Sequence, residues 1–345
     1  MTIVNNESRE YVNCNLCGSN DYSILFNKQD DAMVEFNNKW KESHYDIYKD
    51  DTTFTTVMCD KCGLVYVNPR LKSEILGYFY EQYLPEEQES NDEMRKFTFA
   101  KHIEKIKQYH KTGRLLDIGC ANSYFLNMAK TEGYEVEGVE KSQSCCEYAK
   151  KTFNVNVFNG DFLSQDFTSK GFDIVCLFHS LEHVEYPFET LQKVYKIMND
   201  QGIIVIDVPN VNRAFNVKIT KNLWGASCEG HLYAFSTFTL KSMVAKAGFT
   251  VIGVETNRLP YNCWEDGSTV LTFLFARFGF LNYLRTKRPP CSANDQKLKV
   301  AEIKKTRSTL KKLYHNLIVS PLIYLEETFY KGVQITLIAQ KLNNL

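Results

Sequence analysis

The sequence predicts an α/β fold, a parallel sheet with a four-cysteine module in front of it. Three observations carry this expectation. Between Arg114 and Glu255, short apolar runs alternate with stretches of helical spacing, the pattern of strands joined by crossover helices. One apolar run, Leu115–Ile118, leads into a small-residue loop, Gly119–Ser123, and then an amphipathic segment. Two Cys-x-x-Cys-Gly pairs, Cys14–Gly18 and Cys59–Gly63, come before all of this.

Residues 1–70 are expected to form a zinc-ribbon-like module. A two-residue gap lets both thiolates of a pair bind one ion from a tight turn, and the following glycine relieves the backbone there. Cys14, Cys17, Cys59 and Cys62 would close a tetrahedral shell with no open position, so the expected ion is a structural Zn2+. Two reduced pairs without a metal, or a redox pair, are the alternatives. His44, in the long insertion between the pairs, reads as a solvated side chain. Residues 71–112 read as a helical linker or lid, broken at Pro85. Its aromatic run, Tyr78, Phe79, Tyr80 and Tyr83, fits a lid over a ligand and a packed helix face equally well.

Residues 113–256 carry most of the sheet. Strands are expected at Arg114–Ile118, Glu135–Val139, Asn154–Phe158, Phe172–Leu177, Gly202–Val208 and Thr250–Glu255, with helices at Ser142–Thr152 and Pro187–Met198. Residues 257–331 read as a helical insertion and 332–345 as the final strand. Within the insertion, 285–312 holds ten lysines and arginines against Asp295 and Glu302. A helical cap or an interface with a second copy is the leading reading. A peripheral membrane contact or a phosphate-rich acceptor is the other.

Bulk properties narrow the function classes. The formal net charge is zero, which argues against broad binding to nucleic acid or anionic membrane. No run is long and apolar enough to span a bilayer, and Met1–Tyr11 has no apolar core, so no export signal is expected. The eleven cysteines are odd in number, which favours a reducing, cytoplasmic compartment over a disulfide framework. Cys120 and Cys176, in apolar contexts, read as buried packing.

The loop after the first strand of the sheet suggests cofactor chemistry. Asp117 stands where a carboxylate can hold the amino end of a ligand. Gly119 allows close backbone approach, and Cys120 and Asn122 belong to the same loop. Glu140, at the end of the second strand, can accept both hydroxyls of a ribose, with Lys141 beside it. Asp161 and Phe162, after the third strand, can bond an adenine amine and cover the ring. A nicotinamide-dinucleotide site would want Gly-x-Gly-x-x-Gly here, and this loop lacks that spacing.

The stretch Leu115–Leu126 resembles motif I of class I S-adenosylmethionine (SAM)-dependent methyltransferases, usually Asp-x-Gly-x-Gly-x-Gly, with Ala121 and Ser123 in place of the later glycines. Phe172–Val184, Asp200–Asn210 and Gly230–Ser236 are similar to the ubiquinone-type small-molecule group and to related sugar methyltransferases that carry a zinc ribbon. The resemblance covers roughly 112–256 plus the last strand. It implies a Rossmann-like, seven-stranded methyltransferase sheet, with SAM as cofactor. It also implies a small-molecule acceptor: a sugar, a nucleotide-linked sugar, or a metabolite hydroxyl or amine, with C-methylation also open. His183 in the pair Glu182-His183 matches the position where several members place a catalytic histidine. His179 would line the cofactor pocket through its backbone. His231 would close the acceptor pocket, or pack against Trp224. Glu182 holding a divalent ion is a lesser alternative. A protein or RNA acceptor held by the zinc module, and a noncatalytic scaffold, are the competing functions.

Overall fold

The structure, a computed structural model, describes residues 6–26, 55–81, 92–167, 171–211, 231–257 and 334–342. Most of the expected helical insertion (258–331), with His44, Tyr83 and Trp224, lies outside the described residues. In chain order the strands and helices are β1 (Arg9–Glu10), β2 (Tyr22–Phe26), β3 (Thr56–Cys59), β4 (Val65–Val67), β5 (Arg70–Leu71), α1 (Ser73–Glu81), α2 (Asp92–Lys107), β6 (Arg114–Ile118), α3 (Tyr124–Thr131), β7 (Glu135–Glu140), α4 (Gln143–Phe153), β8 (Asn156–Asn159), β9 (Phe172–Phe178), α5 (Pro187–Ile197), β10 (Met198–Pro209), β11 (Tyr233–Ala234), α6 (Thr237–Lys246), β12 (Thr250–Asn257) and β13 (Gln334–Gln340).

Seven strands make one sheet in the order β12-β13-β10-β9-β6-β7-β8. Strands β6 to β10 run parallel, and β13 runs antiparallel between β10 and β12. This is the Rossmann-like methyltransferase topology, and all seven strands lie close to their expected positions. The largest shift is in β10, which starts at Met198 rather than Gly202, and β8 starts two residues late. Asn154, expected to open the strand, instead ends α4 in the left-handed conformation (φ 51°), a task asparagine performs well because its side chain is short and polar.

Local chemistry fixes the crossover helices. Ser142 caps α4 by accepting from the Cys145 amide, Pro187 opens α5 where no amide bond is lost, and Ser236 with Thr239 forms a capping box on α6. The strands alternate. Leu116, Val175, Leu177, Ile204 and Ile206 face α5 and α6, while Leu115, Ile174, Cys176, Ile203 and Val205 face α2 and α3. Each fully buried Leu or Ile there contributes about 1.5–3 kcal/mol. Cys176 is wholly buried among them, as packing alone requires.

The N-terminal module does not end at residue 70. Its antiparallel sheet has the order β11-β4-β3-β2, and β11 comes from the span expected for the Rossmann-like domain. Tyr233 pairs with Tyr66 and Ala234 with Val65, and Val67 N donates to Leu232 O at 2.9 Å. Asn15 Oδ1 accepts from Phe188 N at 2.8 Å, and the buried Arg70 donates to Glu185 O at 2.7 Å and to Glu10 at 2.9 Å. One apolar cluster runs from Cys14, Leu64 and Tyr66 into the sheet core. Sequence spacing misses this because β11 is two residues long and its partner lies far upstream.

Candidate active site

A cavity of about 660 Å³ opens at the carboxyl ends of β6, β7, β8 and β9, where open α/β sheets hold ligands. Gly119, Glu140, Lys141, Asp161, Phe162, His179 and His183 all line it. Helix α1, which follows the module, supplies another wall through Ser73 and Tyr80. A second cavity of about 530 Å³ lies against Arg114, Glu135 and Asn156, at the opposite, amino ends of the strands, and holds none of the motif residues.

The loop after β6 is bent in a way its residues resist. Gly119 has φ 76°, and a Cβ there would come within 2.7 Å of Ser180 Cβ, so glycine is needed twice over. Ala121 (φ 47°) and Ser123 (φ 61°) are also left-handed. These are the two positions where motif I ordinarily has glycine. A left-handed L residue costs about 1–2 kcal/mol. Ala121→Gly removes that cost but frees the unfolded chain by about 0.4–1 kcal/mol. The variant is therefore expected to gain about 0.5–1 kcal/mol, read as a higher midpoint in guanidinium unfolding.

Glu140 ties this loop to the next helix. Its Oε2 accepts from Ala121 N at 2.8 Å, and its Oε1 from Ser142 N at 3.0 Å. Burial pushes its carboxyl up, and those amide bonds pull it back only in part. Asp117 is 4% exposed, and its Oδ1 has no hydrogen-bond partner among the described residues. Burial, and then the charge of Glu140, push Asp117 up to about 8. Across the cavity, Lys141 Nζ meets Asp161 Oδ2 at 3.0 Å and faces the Tyr80 ring at 5.5 Å.

Three histidines surround one buried carboxylate. His179 Nδ1 lies 3.4 Å from Glu182 Oε1, and His183 Nε2 lies 4.0 Å from it. These are charge contacts rather than aligned hydrogen bonds, and neither Glu182 oxygen has a hydrogen-bond partner among the described residues although the side chain is 1% exposed. Burial alone would raise this carboxyl. The contact with His179 and the charges of His183, His179 and His231 outweigh it and hold Glu182 at about 2. His179 shifts upward in turn: the cost of desolvating its charge is exceeded by the pull of Glu182 and Asp207. Its Nε2 lies 2.6 Å from the Gln334 amide nitrogen. With that amide donating, the proton of His179 sits on Nδ1, facing Glu182. His183 packs edge-on against His231 at 4.6 Å between ring centres, and its Nδ1 is 3.4 Å from Tyr80 Oη. Glu182, His183 and His231 offer three donor atoms within 4.8 Å of one another, so this group can also hold a metal ion.

Of the expected cofactor residues, Asp117, Cys120 and Asn122 do not line the cavity. Asp117 lies beneath its floor. The Cys120 side chain packs into the apolar cluster under α3, and Asn122 Oδ1 accepts from Tyr124 N at 3.3 Å. Glu182 and His231 stand behind His183. Sequence reading did not single out Ser73, Ser180, Tyr186 and Thr190, which also line the cavity. Tyr80 faces the site, but its neighbours Tyr78 and Phe79 have no described side chains.

In the module, Cys14, Cys17, Cys59 and Cys62 converge. Their sulfurs lie within 4.8 Å of one another, with Cys14–Cys62 at 3.4 Å and Cys17–Cys59 at 3.5 Å. Thiolates about 2.3 Å from a tetrahedral zinc ion stand about 3.8 Å apart, so the four can hold that ion. The two turns are twins. Gly18 N donates to Cys14 O and Gly63 N to Cys59 O, and both glycines are left-handed at φ 78° and 74°.

A family profile described as a methyltransferase domain matches residues 87–254. A protein of Geobacillus sp. (strain WCH70), named for methyltransferase activity without an acceptor, is 28% identical over 115 residues, 30% of this chain. The match spans only 46% of that relative. Among solved structures, a SAM-dependent methyltransferase of Archaeoglobus fulgidus is similar at 23% identity and TM-score 0.43, over 73% of this chain and 97% of its own. Another, from Thermotoga maritima, is similar at 16% identity and TM-score 0.45, over 77% and 99%.

Proposed function

We propose that this chain transfers the methyl group of SAM to a small-molecule acceptor, a reading supported by the match of residues 87–254 to a methyltransferase-domain profile. The observation that carries this reading is the cavity with Gly119, Glu140, Asp161 and His183 on four successive strand ends. Its size lies within the range of small-ligand sites. Bound SAM supplies an electrophilic methyl group on a sulfonium. Everything else falls to the chain. Glu140 presents its carboxylate to ribose hydroxyls, held in place by two backbone amides. Asp161 and Phe162 receive the base. Asp117 balances the ligand's ammonium from below the loop. His183 takes the acceptor's proton, and the ionised Glu182 behind it stabilises the imidazolium that forms. Cys14, Cys17, Cys59 and Cys62 would hold Zn2+ with four thiolates, leaving no open position, so the ion would serve structure rather than chemistry. The acceptor is a sugar, nucleotide-linked sugar or metabolite hydroxyl or amine.

A second reading has its own observation. The two orphaned oxygens of Glu182 fit a divalent ion shared with His183 and His231, which would polarise an acceptor hydroxyl. Titrating Mn2+ into dialysed protein while following activity and zinc content separates the two. Activity that depends on Mn2+ at constant zinc favours the ion, and indifference favours the base.

The primary test is calorimetry of SAM with the full chain across pH. The ligand's ammonium favours ionised Asp117, so binding expels a proton below about pH 8, where free Asp117 is largely neutral. Affinity is expected to rise with pH by up to about tenfold per unit between pH 6 and 7, and to level off above about 8. Asp117→Asn should flatten the curve. No binding at millimolar SAM would sink the enzyme reading altogether.

A further inference from the structure

Lys193, on α5, belongs to no motif and does not line the cavity, yet its ammonium is bonded to the turn that forms one of the cavity's walls. Its ammonium donates to the carbonyl oxygens of Phe162 (2.6 Å), Leu163 (3.0 Å) and Gln165. An ammonium has three donors, and here all three end on the main chain of one turn. The same ammonium lies 4.8 Å from the Phe162 ring centre and 5.8 Å from that of Phe167.

That turn is short and satisfies little of its own backbone. Residues 162–164 form a single 3-10 turn, opened by Asp161, whose Oδ1 accepts from Leu163 N at 2.8 Å. Two weak main-chain bonds, Ser164 N to Asp161 O at 3.2 Å and Gln165 N to Phe162 O at 3.3 Å, complete it. Phe162, Leu163 and Ser164 line the cavity, so the shape of the turn is the shape of that wall. Lys193 itself does not line the cavity. The charges of Asp161 and Asp166 oppose the desolvation of its ammonium.

We propose that Lys193 is a positioning residue that fixes the turn 161–165 and thereby sets affinity for the adenine end of SAM. The proposal rests on the reading that this cavity binds SAM. Without the ammonium, the carbonyls of Leu163 and Gln165 lose that donor, the carbonyl of Phe162 keeps only the 3.3 Å bond from Gln165 N, and the turn can rotate, taking the face of Phe162 and the carboxylate of Asp161 with it. The reacting groups, His183 and Glu182, are not part of the turn. The consequence is a loss of cofactor affinity without a loss of turnover at saturation.

Lys193→Met keeps an apolar stem over Phe162 and Phe167 and removes the donors, while Lys193→Arg keeps the charge. In the methionine variant, the Kd for SAM and for adenosine alone should both rise about tenfold or more. The KM for SAM should follow, with kcat at saturating SAM within twofold of wild type. The arginine variant should recover part of the loss. A folded Lys193→Met chain with SAM affinity within twofold of wild type overturns the proposal, as does a fall in kcat at unchanged Kd. Hydrogen exchange of residues 159–167 in the ligand-free chain gives a readout independent of the cofactor. The methionine variant should exchange faster there and nowhere else, and unchanged exchange counts against the proposal even if the chain proves not to bind SAM. Should Lys193→Met not fold, Lys193→Gln, which keeps two donors and no charge, is expected to lie between wild type and a complete loss, and equality with wild type overturns the idea. Failure of wild type to bind SAM or adenosine instead removes the reading on which the affinity argument rests.

Discussion

Replacing Cys59 with serine is expected to empty the four-cysteine cluster of zinc and to lower kcat at least a hundredfold, while SAM affinity stays within about threefold. The reason lies in how the module and the site share elements. Loss of one of four thiolates removes most of the binding free energy that folds such a module, on the order of 10 kcal/mol. The strand β3 that ends on Cys59 pairs with β4, and β4 pairs with β11, so the disturbance reaches Tyr233 and Ala234 through two strand contacts. Tyr233 N donates to Glu182 O at 3.1 Å, and Tyr233 Oη to Glu185 O at 2.9 Å. His231 is two residues upstream of this strand, and Tyr80 follows the module on α1. The side of the cavity that carries Tyr80 and the histidines therefore hangs on the module. Gly119, Glu140 and Asp161 do not, since they follow strands of the large sheet. Metal analysis, steady-state rates and calorimetry on one preparation check all three parts. Retention of full activity by a zinc-free chain would show that the module only decorates the domain.

This coupling marks the boundary of what can be read from sequence. In the large sheet, β9 and β10 are legible as apolar runs of four or more residues, Ile174–Phe178 and Ile203–Ile206, and the more polar β7 and β8 are legible only from their regular alternation with helical spacing. Glu140 and Asp161 are legible as cavity-lining acids because they end or follow strands, whereas Asp117, within β6, does not line the cavity. The cysteine cluster is legible from spacing alone. What is not legible comes from contacts between distant segments. β11 is too short to carry a period. Lys193 reads as one more charge on an amphipathic helix, since nothing local shows that three carbonyls from residues 162–165 wait opposite it. The cluster of Glu182 with three histidines joins His179 and His183, visible as neighbours, to His231 almost fifty positions later. Ala121 and Ser123 are the reverse case. Their substitution for glycine is visible in the sequence, but only the backbone angles show that both keep the left-handed conformation that glycine would adopt freely.

His183→Gln is expected to lower kcat by about two to four orders of magnitude, the usual contribution of a positioned proton acceptor, with SAM affinity unchanged. Glutamine preserves much of the ring's volume and its edge contact with His231, but it cannot take a proton. Glu182→Gln separates two ways in which the pair could act. A carboxylate that only braces the ring would be replaced by an amide of the same shape at little cost. An ionised carboxylate, held at about 2 by the histidines around it, also stabilises the imidazolium as it forms, and the neutral amide loses that. The second account expects a fall in kcat of about ten- to a hundredfold for Glu182→Gln, with the double variant no worse than His183→Gln alone because the two groups act as one unit. It further expects the loss to be largest for hydroxyl acceptors, whose proton must leave as the bond forms. Amine acceptors that reach the site already neutral should suffer less. Measured rates for His183→Gln within threefold of wild type, on an acceptor that wild type methylates, would remove His183 from the chemistry and return the site to the divalent-ion reading.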